Sequence, residues 1–199
     1  MLISVEQREG LNALKGGAVY TRWGRTVCPS GSEAVYNGVA GGSFWSERGG
    51  GSNYLCLSLQ PIYGAYNAGV EKYAKLHGSE YEHPTVLGLN NNNQLPLHDH
   101  TVPCVICRSQ TKTSVVMVPG RNRCYSGWNT EYTGYLMTEK YNHYGRTEFI
   151  CMDGQPESAP NGYRNENGAL FYNVEGVCGA LPCPPYIARR EITCAVCTK

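Results

Sequence analysis

The chain lacks most of what would place it on a nucleic acid, across a bilayer or at the centre of a known type of enzyme. Its 17 Lys and Arg stand against 16 Asp and Glu, a formal net charge of +1. That near-balance gives no electrostatic footprint for a phosphate backbone or an anionic lipid surface, so neither nucleic acid nor membrane is expected as a partner. No apolar run reaches the roughly 18 residues a membrane-spanning helix requires. Gly-x-Ser-x-Gly, His-Glu-x-x-His and the phosphate-binding loop are all missing, as is the acidic spacing of an EF-hand, and no enzyme activity or cofactor is expected. There is no Asn-x-Ser/Thr sequon. Met1 to Gly17 shows no leader-like apolar core, because Glu6, Arg8 and Glu9 interrupt it; an exported form would have had its leader removed.

What is abundant points to a β protein held by bridges. Charged residues make up only 17% while Gly numbers 24 and Tyr 15, a mixture that favours short strands and turns over long helices. Residues 1–17 form an N-terminal segment in which Met1 to Lys15 suit a short helix ended by Gly16-Gly17. Strands are expected at Val19 to Trp23, Ala34 to Tyr36, Ser114 to Val118, Glu131 to Met137, Thr147 to Met152 and Ile192 to Val196. Gly41-Gly42, Gly49 to Gly51 and the polar run Asp153 to Asn167 read as loops.

The clearest signal is an internal repeat. Gly24-Arg25-Thr26-Val27-Cys28-Pro29-Ser30-Gly31 matches Gly120-Arg121-Asn122-Arg123-Cys124-Tyr125-Ser126-Gly127, and Tyr36 and Gly38 match Tyr132 and Gly134. Tyr54-Leu55-Cys56-Leu57 then matches Phe149-Ile150-Cys151-Met152, and Cys104-Val105-Ile106-Cys107 matches Cys194-Ala195-Val196-Cys197. The halves divide into 18–110 and 111–199. Counted back from the terminal pairs, Cys178 and Cys183 fall opposite Gly88 and Asn93, so the second half has an extra cysteine pair where the first has Asn90-Asn91-Asn92-Asn93, read as a surface loop.

Ten cysteines can signify metal or bridges. The two Cys-x-x-Cys pairs lie about 90 residues apart, against the roughly 15–20 of a zinc ribbon, and no βαβ context supports a redox motif. Each half has four cysteines in the same order, plus the one extra pair, which leaves none over and favours a disulfide framework in an oxidising compartment. Cys178 and Cys183, with Gly and Pro between them, suit a local bridge. The other four in each half should pair among themselves, in the same manner in both.

The doubled pattern of Cys-x-x-Gly, apolar-Cys-apolar and terminal Cys-x-x-Cys resembles the C-terminal non-collagenous domain of type IV collagen, and more closely the spongin-type short-chain collagens and their invertebrate relatives. The likeness covers about residues 18 to 199. It is carried by Val19-Tyr-Thr-Arg-Trp-Gly-Arg25 in the first half. In the second it is carried by Tyr132-Thr-Gly-Tyr-Leu-Met137, Gly145-Arg-Thr-Glu-Phe-Ile-Cys151, Gly168-Ala-Leu-Phe-Tyr172, Val177-Cys-Gly-Ala-Leu-Pro-Cys-Pro-Pro-Tyr186 and Glu191-Ile-Thr-Cys-Ala-Val-Cys-Thr-Lys199. The resemblance implies a predominantly β fold with a minor α contribution, made of two similar disulfide-stapled subdomains grouped with C-type-lectin-like folds. It implies the pairs Cys28–Cys107, Cys56–Cys104, Cys124–Cys197, Cys151–Cys194 and Cys178–Cys183. It further implies a secreted matrix or adhesion protein whose partner is a second copy of itself, in an oligomer or filament, with other matrix proteins also in view. No Gly-x-y tract is present, so the chain is not itself a collagen triple helix.

Other candidates are weaker. His98-Asp99-His100 would place two imidazoles on one face of an extended chain, with His77 and His83 nearby, but a solvated loop is the expectation and no metal is assigned. Gln155-Pro156-Glu157 is distantly similar to the sugar-binding triplet of C-type lectins, and Trp128-Asn129-Thr130 lies upstream; the alternative function is therefore a secreted carbohydrate-binding lectin with glycan partners. Trp45, Tyr141, Tyr144 and Tyr163 are the aromatics placed to stack on a sugar or a protein. No ligand-binding residue is assigned.

Overall fold

The computed structural model describes residues 16–65, 74–82 and 97–199. These residues form ten strands and no helix: β1 (Val19–Trp23), β2 (Ser32–Gly42), β3 (Leu55–Ser58), β4 (His77–Tyr81), β5 (Pro103–Ser109), β6 (Val115–Pro119), β7 (Asn129–Thr138), β8 (Ile150–Asp153), β9 (Ala169–Asn173) and β10 (Thr193–Thr198). The helix expected in Met1 to Lys15 and the loop expected at Asn90 to Asn93 lie outside the described residues.

Seven strands close a barrel in the order β7, β8, β1, β5, β2, β4, β9 and back to β7. Two seams join residues of the first half to residues of the second. One is the parallel pairing of β1 with β8 at Trp23 and Met152. The other is the parallel pairing of β4 with β9, from Ser79 opposite Ala169 to Tyr81 opposite Phe171. Closure hides backbone edges that would otherwise remain open. The remaining strands lie off the ring: β10 and then β6 extend from β7, and β3 extends from β2.

The pairings of the two halves run in parallel. β2 is bonded to β3, β4 and β5, and β7 to β8, β9 and β10. Each of these two long strands carries one bulge, at Val35 against β5 and at Glu131 against β10. The glycines shared by the halves have physical causes. A Cβ on Gly38 would sit 2.2 Å from the Leu57 carbonyl oxygen, and one on Gly134 would sit 1.8 Å from that of Met152, so both close strand crossings exclude a side chain. Gly31 and Gly127, which end the Cys-x-x-Gly turns, have φ of 87° and 81°, the left-handed region that glycine enters freely.

Two core clusters each draw on both halves; one gathers Tyr20, Val105 and Cys107 with Tyr132, Leu136 and Val196, and the other is aromatic. Trp23, Tyr54, Tyr81 and Val102 pack with Met137, Ile150, Met152 and Phe171. Trp23 meets Tyr54 edge-on at 6.5 Å, and Tyr54 lies 4.1 Å from Phe171. All ten cysteines are bridged, as Cys28–Cys107, Cys56–Cys104, Cys124–Cys197, Cys151–Cys194 and Cys178–Cys183. Those are the pairs the resemblance implies. Five bridges fit an oxidising, extracytoplasmic setting.

Candidate functional site: a closed seam and two open edges

β1 and β8 bring together the polar side chains that tie the halves. Arg22 on β1 reaches Asp153 at the end of β8 with both Nε and Nη2, each 2.8 Å from Oδ2. Both side chains are largely buried, so this charge-assisted contact sits where water competes little. Beyond β1, Arg25 pairs with Glu157 at 3.1 Å and donates to the Gln155 carbonyl. The Thr26 amide and hydroxyl both donate to Glu157 Oε2. Gln155-Pro156-Glu157 therefore fastens the second half to the first; its carboxylate is occupied within the chain.

A third tie comes from the bulge in β7. The Glu131 carboxylate accepts from the hydroxyls of Tyr20, Ser32 and Thr198. Burial, with the neighbouring Glu131 carboxylate adding to it, holds the Tyr20 phenol well above its ordinary range. The Tyr132 hydroxyl lies 3.0 Å from the carbonyl oxygens of both Thr21 and Cys151, and burial raises its pKa too.

The strands off the ring behave differently. Among the described residues β6 pairs only with β10, and β3 only with β2, so each has one edge without a strand. A groove of about 470 Å³ lies between β6 and the β1–β8 seam, lined by Val19, Val115, Val116, Met117, Tyr132 and Phe149 among others. Val19, Val115, Val116 and Phe149 are exposed there, and so are Leu55 and Leu59 at β3.

The remaining candidates are placed as follows. His98 and Asp99 form a turn, and Asp99 has φ of 63°, so His98 and His100 do not share the face of an extended strand as the sequence pattern suggests. His98 instead lies between Glu82 and Asp99. His77 stacks near Phe44 at 4.9 Å, and His83 lies outside the described residues. Trp45 packs on His143 at 4.9 Å, Tyr144 lies under Arg48, Tyr163 is 6.5 Å from the His100 ring, and Tyr141 is open to solvent at 94% exposure.

Sequence reading missed two buried carboxylates. Glu139 accepts the Leu170 amide and contacts His143 Nδ1 at 2.7 Å; burial holds its carboxyl above the usual range. Glu80 accepts the amides of Glu166 and Asn167 across the β4–β9 junction, and burial raises it likewise. An isolated Glu, on strand β4 or just past the end of β7, gives no sequence signal; only the distant amides reveal its role. No protein-family model matches the chain.

Proposed function

We propose that this chain is a secreted structural module of matrix or adhesion type that associates with further copies of itself. In this reading it is a tandem duplication of two subdomains similar to those of the type IV collagen C-terminal domain. The observation that supports it is what stands at matched positions on the two sides. Counting from the paired cysteines, Tyr20, Arg22 and Glu131 of the polar seam correspond to Val116, Val118 and Val35; Asp153 and Glu157 correspond to Ser58 and Ile62. The second set lies at or near the unpaired strands. Val35 is 56% exposed, Val116 41% and Ile62 98%.

The seam inside the chain is thus polar and tied by ion pairs and hydrogen bonds, while its counterpart carries three valines and an isoleucine beside Ser58, with Val35, Val116 and Ile62 exposed. A second copy can cover it by laying β6 of one chain beside β3 of the next, as β1 lies beside β8 within the chain. Such a contact is heterologous, so it propagates into a ring or a filament. Apolar patches of this kind on a soluble face favour protein contacts.

Light scattering on the eluting protein should find an oligomer at micromolar concentration. Val35→Glu and Val116→Lys should each yield a folded monomer. Mixing the two variants should restore a complex, since Glu on one copy then faces Lys on the other. A monomeric wild type at about 100 µM, some hundredfold above the micromolar dissociation constants of ordinary specific contacts, would refute self-association.

A further inference from the structure

Glu82, His98 and Asp99 offer three ligand atoms that all lie within 4.8 Å of one another. Glu82 Oε2 is 3.4 Å from His98 Nδ1, and Asp99 Oδ2 is 3.6 Å from His98 Nε2. The Glu82 side chain is nine-tenths buried, with 10% exposure. Asn165 donates to Asp99 Oδ2 at 3.1 Å, while Asp99 Oδ1 is buried with no hydrogen-bond partner.

The three side chains gather round one imidazole, with a carboxylate at each ring nitrogen. A neutral imidazole has one N–H, so of two carboxylates facing opposite ring nitrogens one meets a lone pair. Both separations also exceed the usual 2.7–3.2 Å of an N–H···O bond. A cation takes a single ring nitrogen, and one ligand atom from each of the three residues lies within 4.8 Å of the other two, close enough to be drawn onto one ion.

We propose that Glu82, His98 and Asp99 form a binding site for a divalent transition cation of the zinc class. One imidazole with two carboxylates suits zinc, whereas calcium and magnesium prefer oxygen alone. Asn165 then acts as a positioning residue, holding Asp99 by the oxygen that carries its hydrogen bond. The site joins the end of β4 to the 97–101 turn, so cation binding steadies the first-half side of the β4–β9 junction. This inference does not depend on self-association.

The test uses the oxidised full chain, stripped with a chelator and dialysed at pH 7.5. Cobalt should give one equivalent of visible ligand-field absorption, displaced by zinc and not by calcium. Zinc at a hundred times its dissociation constant should raise Tm by about 5–10 °C. His98→Ala and Asp99→Asn, both on partly exposed side chains, should each weaken zinc at least tenfold, and Glu82→Gln likewise if it folds. His143→Ala, outside the cluster, should bind as the wild type does. No cobalt spectrum and no thermal shift at millimolar metal would overturn the proposal. So would zinc binding that His98→Ala and Asp99→Asn leave unchanged, or a preference for calcium.

Discussion

The two bulges occupy matched places and do opposite things. Glu131 on β7 turns its carboxylate to three hydroxyls, two of them in the first half of the chain. Val35 on β2 faces solvent. Two of the surrounding positions follow suit: Arg22 and Glu157, which bind the side that closes within the chain, are matched by Val118 and Ile62, while Asp153 is matched by Ser58 and Arg25 by Arg121. If copies associate as proposed, one backbone plan serves an internal joint and an external one, with side-chain polarity deciding which. Charged groups suit the joint that never opens, because each is held beside its partner from the moment the barrel closes. Apolar groups suit a joint that must survive exposure before a neighbour arrives, since they leave no unpaired buried charge when it forms.

The contrast can be attacked at several points. The largest effect is expected from the frame common to both halves. Replacing Cys56 and Cys104 by Ala opens a bridge spanning 48 residues of sequence and should lower stability by about 4 kcal/mol in the chain-entropy model. Guanidinium unfolding measures this, and a loss below about 1 kcal/mol would mean the core holds that half unaided.

Next comes the closed seam. Asp153→Ala strands the Arg22 guanidinium in a largely buried site and should cost about 3 kcal/mol; a cost near that of an exposed pair would show that the seam is wet. The bridge present only in the second half should matter less. Cys178 and Cys183 are 5 residues apart, and replacing both with Ala should cost about 2 kcal/mol, with the change localised by hydrogen exchange to the 174–192 loop.

The smallest effect concerns pH. Burial raises the Glu139 carboxyl above its usual range, so the native state holds that proton to higher pH than the unfolded chain does. Its stabilising share is full below the ordinary carboxyl range and is lost as pH rises through the folded value. Glu139→Gln should flatten the slope of unfolding free energy against pH over that window. An unchanged slope would assign the effect to other groups.

Much of the architecture was legible because the repeat constrains it. Val19–Trp23 is marked by its alternation, and the cysteine-bearing ends of the halves place β10. β3, β4, β5 and β9 were not identified as strands. His77–Tyr81, with the sequence His-Gly-Ser-Glu-Tyr, has no apolar alternation, and it becomes a strand because β9 and β2 pair with it from far along the chain. Tertiary pairing overrides local preference there. The barrel itself could not be read, since closure depends on which edges meet in space. The ties between halves were hidden for the same reason: Glu131 and Glu157 look like surface acids until Tyr20, Thr26 and Arg25 are placed beside them. Gln155-Pro156-Glu157 drew notice for a sugar it has no spare carboxylate to hold.

The bridge pattern has a mechanical consequence. Cys28–Cys107 and Cys124–Cys197 short-circuit almost the whole chain, so a pull applied between Cys28 and Cys197 travels through two covalent shunts and the linker from Cys107 to Cys124. That linker can extend to roughly 60 Å, whereas the unbridged stretch would pay out close to 600 Å. Under tension the protein acts as a short inextensible link: its loops can lose their order without lengthening the load path, and only reduction of a bridge lets it stretch.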